Sequence, residues 1–235
     1  MERDPGGAES GPAQDALGGP MRDRLRRIPV FAGAIPSFDP DSAPEDPVEL
    51  FAQWLDHAVD AGVPEPHVMN LATADAADRV DSRFLILKDV GPHGWSFATS
   101  AQSPKGRDLK DNARAALSCY WPPVGRQVRI TGTAAPESSR TSAADFLARS
   151  PDARAEALVG GQSAPMDSVA RHERELAEAR ARLAADPELV APEWTLYTLR
   201  PDYVEFWQGA KDRNHIRLRY TATSAGAWER TLLRP

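Results

Sequence analysis

The sequence is short of the features that mark secreted, membrane-spanning or nucleic-acid-binding proteins. It has one cysteine, Cys119, so neither a disulfide framework nor a cysteine metal cluster can form within the chain. That cysteine lies in the apolar run from Ala115 to Trp121, where a small buried core residue is the plainest reading. No stretch approaches the roughly 20 apolar residues of a membrane span, and the N-terminus lacks the charged-then-apolar order of a signal peptide. The expectation is a cytoplasmic protein with no membrane partner. The net charge of −6 comes from acidic and basic residues mixed along the chain. Without a basic stripe to follow a phosphate backbone, nucleic acid is not an expected partner. There is no Gly-x-Ser-x-Gly elbow and no His/Cys cluster at ligand spacing, so hydrolase-type nucleophilic chemistry and a metal site have no support.

What is present is enough for one well-buried domain. At 235 residues and 41% apolar content, the chain can fold a unit of roughly 150 to 200 residues and carry a tail. Residues 1 to 45 are rich in Gly, Pro, Asp and Ala with little apolar periodicity, which predicts a disordered tail before a single domain over 46–235. Within the tail, the basic stretch Arg22 to Arg27 leads into Ile28, Val30 and Phe31. That stretch reads equally as a cover over a neighbouring subunit or active site and as plain disorder.

A helix is expected from Pro47 to Ala61, capped by Asp46, with Glu49 completing a capping pattern and Gly62 ending it. Leu50, Phe51, Trp54, Leu55 and Ala58 share its apolar face. Short runs rich in Val, Ile, Leu, Phe and Thr follow at Val68–Thr73, Ser82–Lys88, Trp95–Thr99, Ala115–Trp121 and Gln127–Thr133. These predict consecutive antiparallel strands, with a short helix over Pro104–Asn112, and together a small barrel. Helices are then expected at Ser142–Arg149 and Ser168–Ala185, followed by strands at Trp194–Phe206 and Asn214–Thr221 and a closing hairpin near Trp228.

Three segments carry chemistry. Strand alternation through residues 213–217 would put Arg213, His215 and Arg217 on one face, which suits a bound phosphate or carboxylate or else an exposed polar face. In Ser103-Pro104-Lys105-Gly106-Arg107, a glycine and a helix N-terminus could receive an anion, although a surface turn explains the pattern as well. In the run Arg83 to Lys88, two cations flank an apolar centre, and their spacing sends them to opposite faces unless a bulge intervenes.

Taken in order, these segments resemble the pyridoxamine 5'-phosphate oxidase family over roughly residues 47 to 235. The resemblance rests on Arg83-Phe84-Leu85-Ile86-Leu87-Lys88, Ser103-Pro104-Lys105-Gly106 with Leu109 and Asn112, Trp121 with Arg126-Gln127-Val128-Arg129, Gln162-Ser163, Glu205-Phe206-Trp207-Gln208-Gly209 and Arg213-x-His215-x-Arg217. It implies a mainly β fold with peripheral helices, an antiparallel FMN-binding split β-barrel, working as a homodimer with FMN between the subunits. Carried over from the family, Arg83, Lys88, Thr99, Lys105, Gln127, Gln162, Ser163, Trp207 and Arg217 contact FMN. Lys88, Arg149, Arg213 and His215 hold substrate, with Arg213 and His215 as the catalytic pair beside the reacting carbon. The family passes hydride to the flavin, and oxygen reoxidises it to give hydrogen peroxide.

The chain departs from the family on the substrate side. Where the family's phosphate-binding segment has Tyr, Pro and Ser around its Arg, this chain has Asp145, Ser150 and Ala153 around Arg149. Each lost charge-assisted hydrogen bond costs about 1.5 to 3 kcal/mol, and a new carboxylate repels a dianion. Ala98 and Pro104 replace a usual Tyr and Arg, and Asn214 and Ile216 replace a usual Leu and Asp. The expectation is an FMN-dependent oxidase whose substrate is a small carboxylated aromatic or heterocyclic molecule of secondary metabolism. The alternatives are a pyridoxine or pyridoxamine 5'-phosphate oxidase, and a non-catalytic flavin- or haem-binding split barrel. The haem reading is weak, since His57, His67, His93 and His172 read as surface or loop residues.

Overall fold

The computed structural model describes residues 19–235. Its eight strands are β1 (Val68–Ala74), β2 (Val80–Gly91), β3 (Gly94–Ser100), β4 (Arg114–Trp121), β5 (Arg126–Pro136), β6 (Trp194–Gln208), β7 (Ile216–Ala222) and β8 (Trp228–Leu233). They form one antiparallel sheet in the order β3-β2-β1-β4-β5-β6-β7-β8, and β3 also pairs with β6. That extra pairing closes β1 to β6 into a six-stranded barrel, while β7 and β8 continue outward from β6. Strand β6 manages this by being long. Its first half pairs with β3 (Trp95↔Leu199), its second half with β7 (Trp207↔Arg217), and β5 runs along both. The register slips between Thr131 and Gly132. A Cβ on Gly132 would lie 2.0 Å from the Arg200 carbonyl, so only glycine fits where the two strands press together.

Alternation fills the barrel. Met69, Leu71, Trp95, Phe97, Leu117, Trp121, Val128, Ile130, Val204 and Phe206 are all buried. One end is plugged by α2 (Pro47–Asp60), whose cap is the predicted one: Asp46 accepts the Val48 amide at 2.8 Å. Its Phe51 meets Trp95 edge-on at 5.7 Å between ring centres, and Trp54 meets Phe206 at 5.2 Å. Burying each such side chain contributes roughly 1.5 to 3 kcal/mol.

The other helices are α1 (Pro20–Arg26), α3 (Pro104–Asp111), α4 (Ser139–Leu147), α5 (Pro151–Val159) and α6 (Val169–Ala185). Helix α5 is absent from the sequence reading, although Ser150 before Pro151 is a cap signal, and its side chain does accept the Ala153 amide. Helices α5 and α6 bury Ala155, Ala179 and Leu183 in a small core of their own. Of the expected tail, residues 1–18 lie outside the described residues. The rest divides: α1 has no buried residue, whereas the segment from Phe31 to Pro44 lies against the barrel. Phe38 packs on Trp54, the Tyr220 hydroxyl donates to the Pro44 carbonyl at 2.6 Å, and Ala43 is buried. Phe31, Ile35 and Phe38 stand at helical spacing, but Gly33 and Pro36 interrupt them and the segment forms no helix, so its contact with the barrel is not announced by a regular element. Among the described residues, no helix is long and apolar enough to cross a membrane.

Candidate active site

Three groups of side chains contain the residues singled out from sequence. The first surrounds Lys105. Helix α3 starts just after β3, and a Cβ on Gly106 would sit 2.5 Å from the carbonyl oxygens of both Ser100 and Ala101, so glycine lets the helix begin that close. Ser103 caps the helix by accepting the Gly106 amide at 3.2 Å. Lys105 is only 8% exposed, and its Nζ donates to Ser103 Oγ at 3.3 Å and to Gln162 Oε1 at 3.1 Å. Thr99 Oγ1 donates to the same Gln162 oxygen at 3.2 Å. Arg83 donates to Thr73 Oγ1 at 2.7 Å and to Asp81 at 2.8 Å, and Thr73 in turn donates to Asp108. Among the described residues, Lys105 has no carboxylate within ion-pair distance. Burial, with Arg83 adding repulsion, pushes its ammonium down to about 8. A buried cation met only by neutral oxygens is costly until an anion joins it. The donor set of Lys105, Arg83 and Thr99 therefore fits the phosphate end of FMN.

The second group lies around Arg149. Strand β2 carries a bulge between Leu87 and Asp89, the feature needed to free Lys88 from simple alternation with Arg83. Lys88 Nζ lies 3.5 Å from Asp145 Oδ1, and Asp145 Oδ2 accepts the Trp194 indole N–H at 2.8 Å. The Arg149 guanidinium stacks 3.7 Å above the Trp194 ring, and one of its nitrogens donates to the Ala153 carbonyl at 2.9 Å. Burial lowers Arg149 from its ordinary value, and Asp145 partly offsets this. Beside them opens a cavity of about 520 Å³, lined by Arg149, Trp194, Ser100, Gln162, Ser163 and His172. Ser163 holds a left-handed backbone, φ 71°, at its rim.

The third group occupies β5, β6 and β7, where Gln127, Trp207 and Arg217 form one cross-strand row. Two residues before Trp207 on β6, Glu205 is 2% exposed and accepts from Arg217 Nε at 3.0 Å, Arg217 Nη2 at 2.8 Å and Arg219 Nη2 at 2.9 Å. Burial alone would raise the Glu205 carboxyl, but its hydrogen bonds from Arg219 and Arg217 outweigh that and hold it below its ordinary value. His215 Nδ1 accepts the Ala210 amide at 2.9 Å, so the neutral ring keeps its proton on Nε2, free to donate. The Trp207 and His215 rings are 4.8 Å apart, and Phe31 lies 6.0 Å from each. The expected alternation through Arg213 does not hold. Strand β7 begins at Ile216, and Arg213 sits in an exposed turn at φ 69° with its amide bonded to the Ala210 carbonyl.

The chain thus gathers Arg83, Thr99, Lys105 and Gln162 in one place, Lys88 and Arg149 beside it around Asp145 and Trp194, and Gln127, Trp207, His215 and Arg217 in another. Among the described residues, no hydrogen bond or ion pair joins the third group to the first two. Sequence reasoning did not single out Trp194, Thr73 or the orienting role of Glu205. Only Glu205 left a signal, its place between aromatic and aliphatic neighbours on a strand where a carboxylate needs partners.

Comparisons with known proteins identify the family. Residues 194–235 match the family model described as pyridoxine 5'-phosphate oxidase C-terminal dimerisation region. A pyridoxine/pyridoxamine 5'-phosphate oxidase of Herminiimonas arsenicoxydans is 39% identical over 190 residues, covering 81% of this chain and 90% of the relative. The enzyme of that name from Bordetella petrii is 40% identical, covering 83% and 92%. Among solved structures, PhzG from Burkholderia lata 383, in complex with tetrahydrophenazine-1-carboxylic acid, matches with a TM-score of 0.80 and 30% identity over 86% of this chain and 100% of that one. An FMN-binding protein from Nostoc punctiforme shares the fold at a TM-score of 0.65 and 19% identity, over 79% and 97%. This chain belongs to the pyridoxine/pyridoxamine 5'-phosphate oxidase family of FMN-dependent oxidoreductases.

Proposed function

We propose that this chain is a homodimeric FMN-dependent oxidase acting on a small carboxylated aromatic or heterocyclic substrate rather than on a vitamin B6 phosphate. The observation that carries the choice of substrate is the Asp145 carboxylate 3.5 Å from Lys88 and hydrogen-bonded to the Trp194 ring on which Arg149 lies. Asp145 halves the positive charge available there, which suits a monoanionic carboxylate and disfavours a dianionic phosphate. The likeness to PhzG, solved with a phenazine carboxylic acid, supports the same class.

In this reading, Lys105, Arg83 and Thr99 of one protomer, with Gln162 and Ser163, bind the phosphate side of FMN. Gln127, Trp207 and Arg217 come from the partner copy, which agrees with three observations: the separation of the third group, the dimerisation region at 194–235, and the place of Trp207 and Arg217 within it. Bound FMN supplies a hydride acceptor that molecular oxygen can reoxidise to hydrogen peroxide. The chain's residues do the rest. Arg149 and Lys88 orient the substrate anion, His215 Nε2–H and Arg213 hold the polar edge of the reacting carbon, and Phe31 keeps water from Trp207 and His215.

A second reading, a pyridoxine or pyridoxamine 5'-phosphate oxidase, is favoured by the names of the relatives near 40% identity. Anaerobic mixing of FMN-loaded protein with each substrate class separates the two. Bleaching of the flavin band by a carboxylated dihydro-heterocycle and not by pyridoxine 5'-phosphate is the expected result; rapid bleaching by pyridoxine 5'-phosphate would establish the second reading instead.

A further inference from the structure

A second cation lies deep in the protein without a carboxylate partner, next to Gln127 in sequence but on the buried, opposite side of β5. Arg126, at the start of β5, is 6% exposed and points toward the end of the barrel plugged by α2. Its guanidinium lies 4.3 Å over the Trp54 ring, and its Nε donates to Gln208 Oε1 at 2.9 Å. The Gln208 amide nitrogen is spent on the carbonyls of Val124, Gly125 and Gly209, which fixes its oxygen toward Arg126. Among the described residues, the two terminal nitrogens of Arg126 have no acceptor. They border an open cleft of about 290 Å³, walled on its other side by the N-terminal segment through Ser37, Asp39 and Ser42, with His57 of α2 at the rim.

A guanidinium loses much of its hydration when nine-tenths buried, and a flat ring plus one neutral oxygen does not replace it. Burial accordingly pushes Arg126 down to about 10. Two parallel N–H donors facing a polar cleft match the oxygens of a tetrahedral or planar anion. Asp39 narrows the choice. One of its oxygens accepts the Asp41 amide, and its charge repels any fully ionised ligand. An oxyanion that retains a proton can present an O–H to Asp39 and bare oxygens to Arg126.

We propose that the cleft between Arg126 and the segment 37–42 is a binding site for a small protonated oxyanion of the hydrogen phosphate type. Its occupant would fasten the N-terminal segment to the barrel, and through that segment the Phe31 ring over Trp207 and His215.

The test uses FMN-loaded protein, inorganic phosphate as the probe and sulfate as the control, read by calorimetry and by the rise in Tm. Wild-type protein should bind phosphate at least several-fold more tightly than sulfate, which holds no proton near neutrality. Arg126→Met should abolish the phosphate-dependent rise in Tm, and Arg149→Met should keep it. Should Arg126→Met fail to fold, the rim variant Ser37→Ala/His57→Ala leaves the core intact and should weaken phosphate binding several-fold. Unchanged binding in the rim variant, equal binding of sulfate, or loss of binding only in Arg149→Met would each overturn the proposal.

Discussion

Around Lys105 the acceptors within hydrogen-bonding reach are the neutral oxygens of Ser103 and Gln162, whereas Lys88, in the neighbouring corner of the same barrel, is met by the Asp145 carboxylate. The first corner leaves a buried positive charge open to an incoming dianion. The second supplies part of its own counter-charge and leaves Arg149 on Trp194 as the main anchor. In the function proposed above, similar cations serve different ligands because of one carboxylate, and charge balance within hydrogen-bonding distance says more about a ligand than a count of basic residues does.

The comparison can be broken most directly at Lys105. Lys105→Met should weaken FMN binding by about 10- to 100-fold, the usual worth of a charge-assisted hydrogen bond, as measured by flavin fluorescence during dialysis; undiminished affinity would remove Lys105 from the phosphate contacts. Removing the carboxylate tests the other corner. Asp145→Asn keeps an acceptor for the Trp194 N–H and deletes the charge, so affinity for pyridoxine 5'-phosphate should rise by about 10-fold while that for a monocarboxylate changes less. Equal gains for both anions would mean that Asp145 does not discriminate between them.

The fold was legible in the sequence wherever chemistry repeats. The cap at Asp46, alternating strands such as Met69-x-Leu71-x-Thr73 and the Lys105-Gly106 turn each announce themselves by residue type and spacing. Barrel closure did not, because the pairing of β3 with β6 joins residues 102 positions apart, as in the Ser96–Thr198 hydroxyl contact, and no local pattern encodes that. Motif order singled out Thr99, Lys105 and Gln162, which the structure brings into hydrogen-bonding contact. The bonds of Asp145 to Trp194 and of Glu205 to Arg217 and Arg219 depend on tertiary packing, and Arg213 was misplaced because alternation was extended through a turn.

Two smaller effects sharpen the contrast. Glu205→Gln should loosen FMN binding by a few-fold by releasing Arg217, and a double-mutant cycle with Arg217→Met should show that the two losses do not add. The smallest effect is in pH. The folded-state value for Lys105, about 8, lies below its ordinary 10.5, so the folded apoprotein sheds that proton first. Its stability should therefore rise with pH between those values, while FMN affinity, which needs the cation, should decline over the same window. In Lys105→Arg the decline should disappear, which titrations of apoprotein with FMN from pH 7 to about 10 would reveal.

Strand β6 carries a consequence for how the molecule is made. Because β3 finds its second neighbour only in the residues around Leu199, a chain emerging from the ribosome presents β3 as a bare edge until about a hundred further residues have been made. Strands β1 to β5 can pair as they appear, in the order β3-β2-β1-β4-β5, but closure waits for β6 and carries the entropy of a long loop. Truncations that end before β6 should accumulate as sticky, half-open sheets, and the last strands made decide whether the first ones stay soluble.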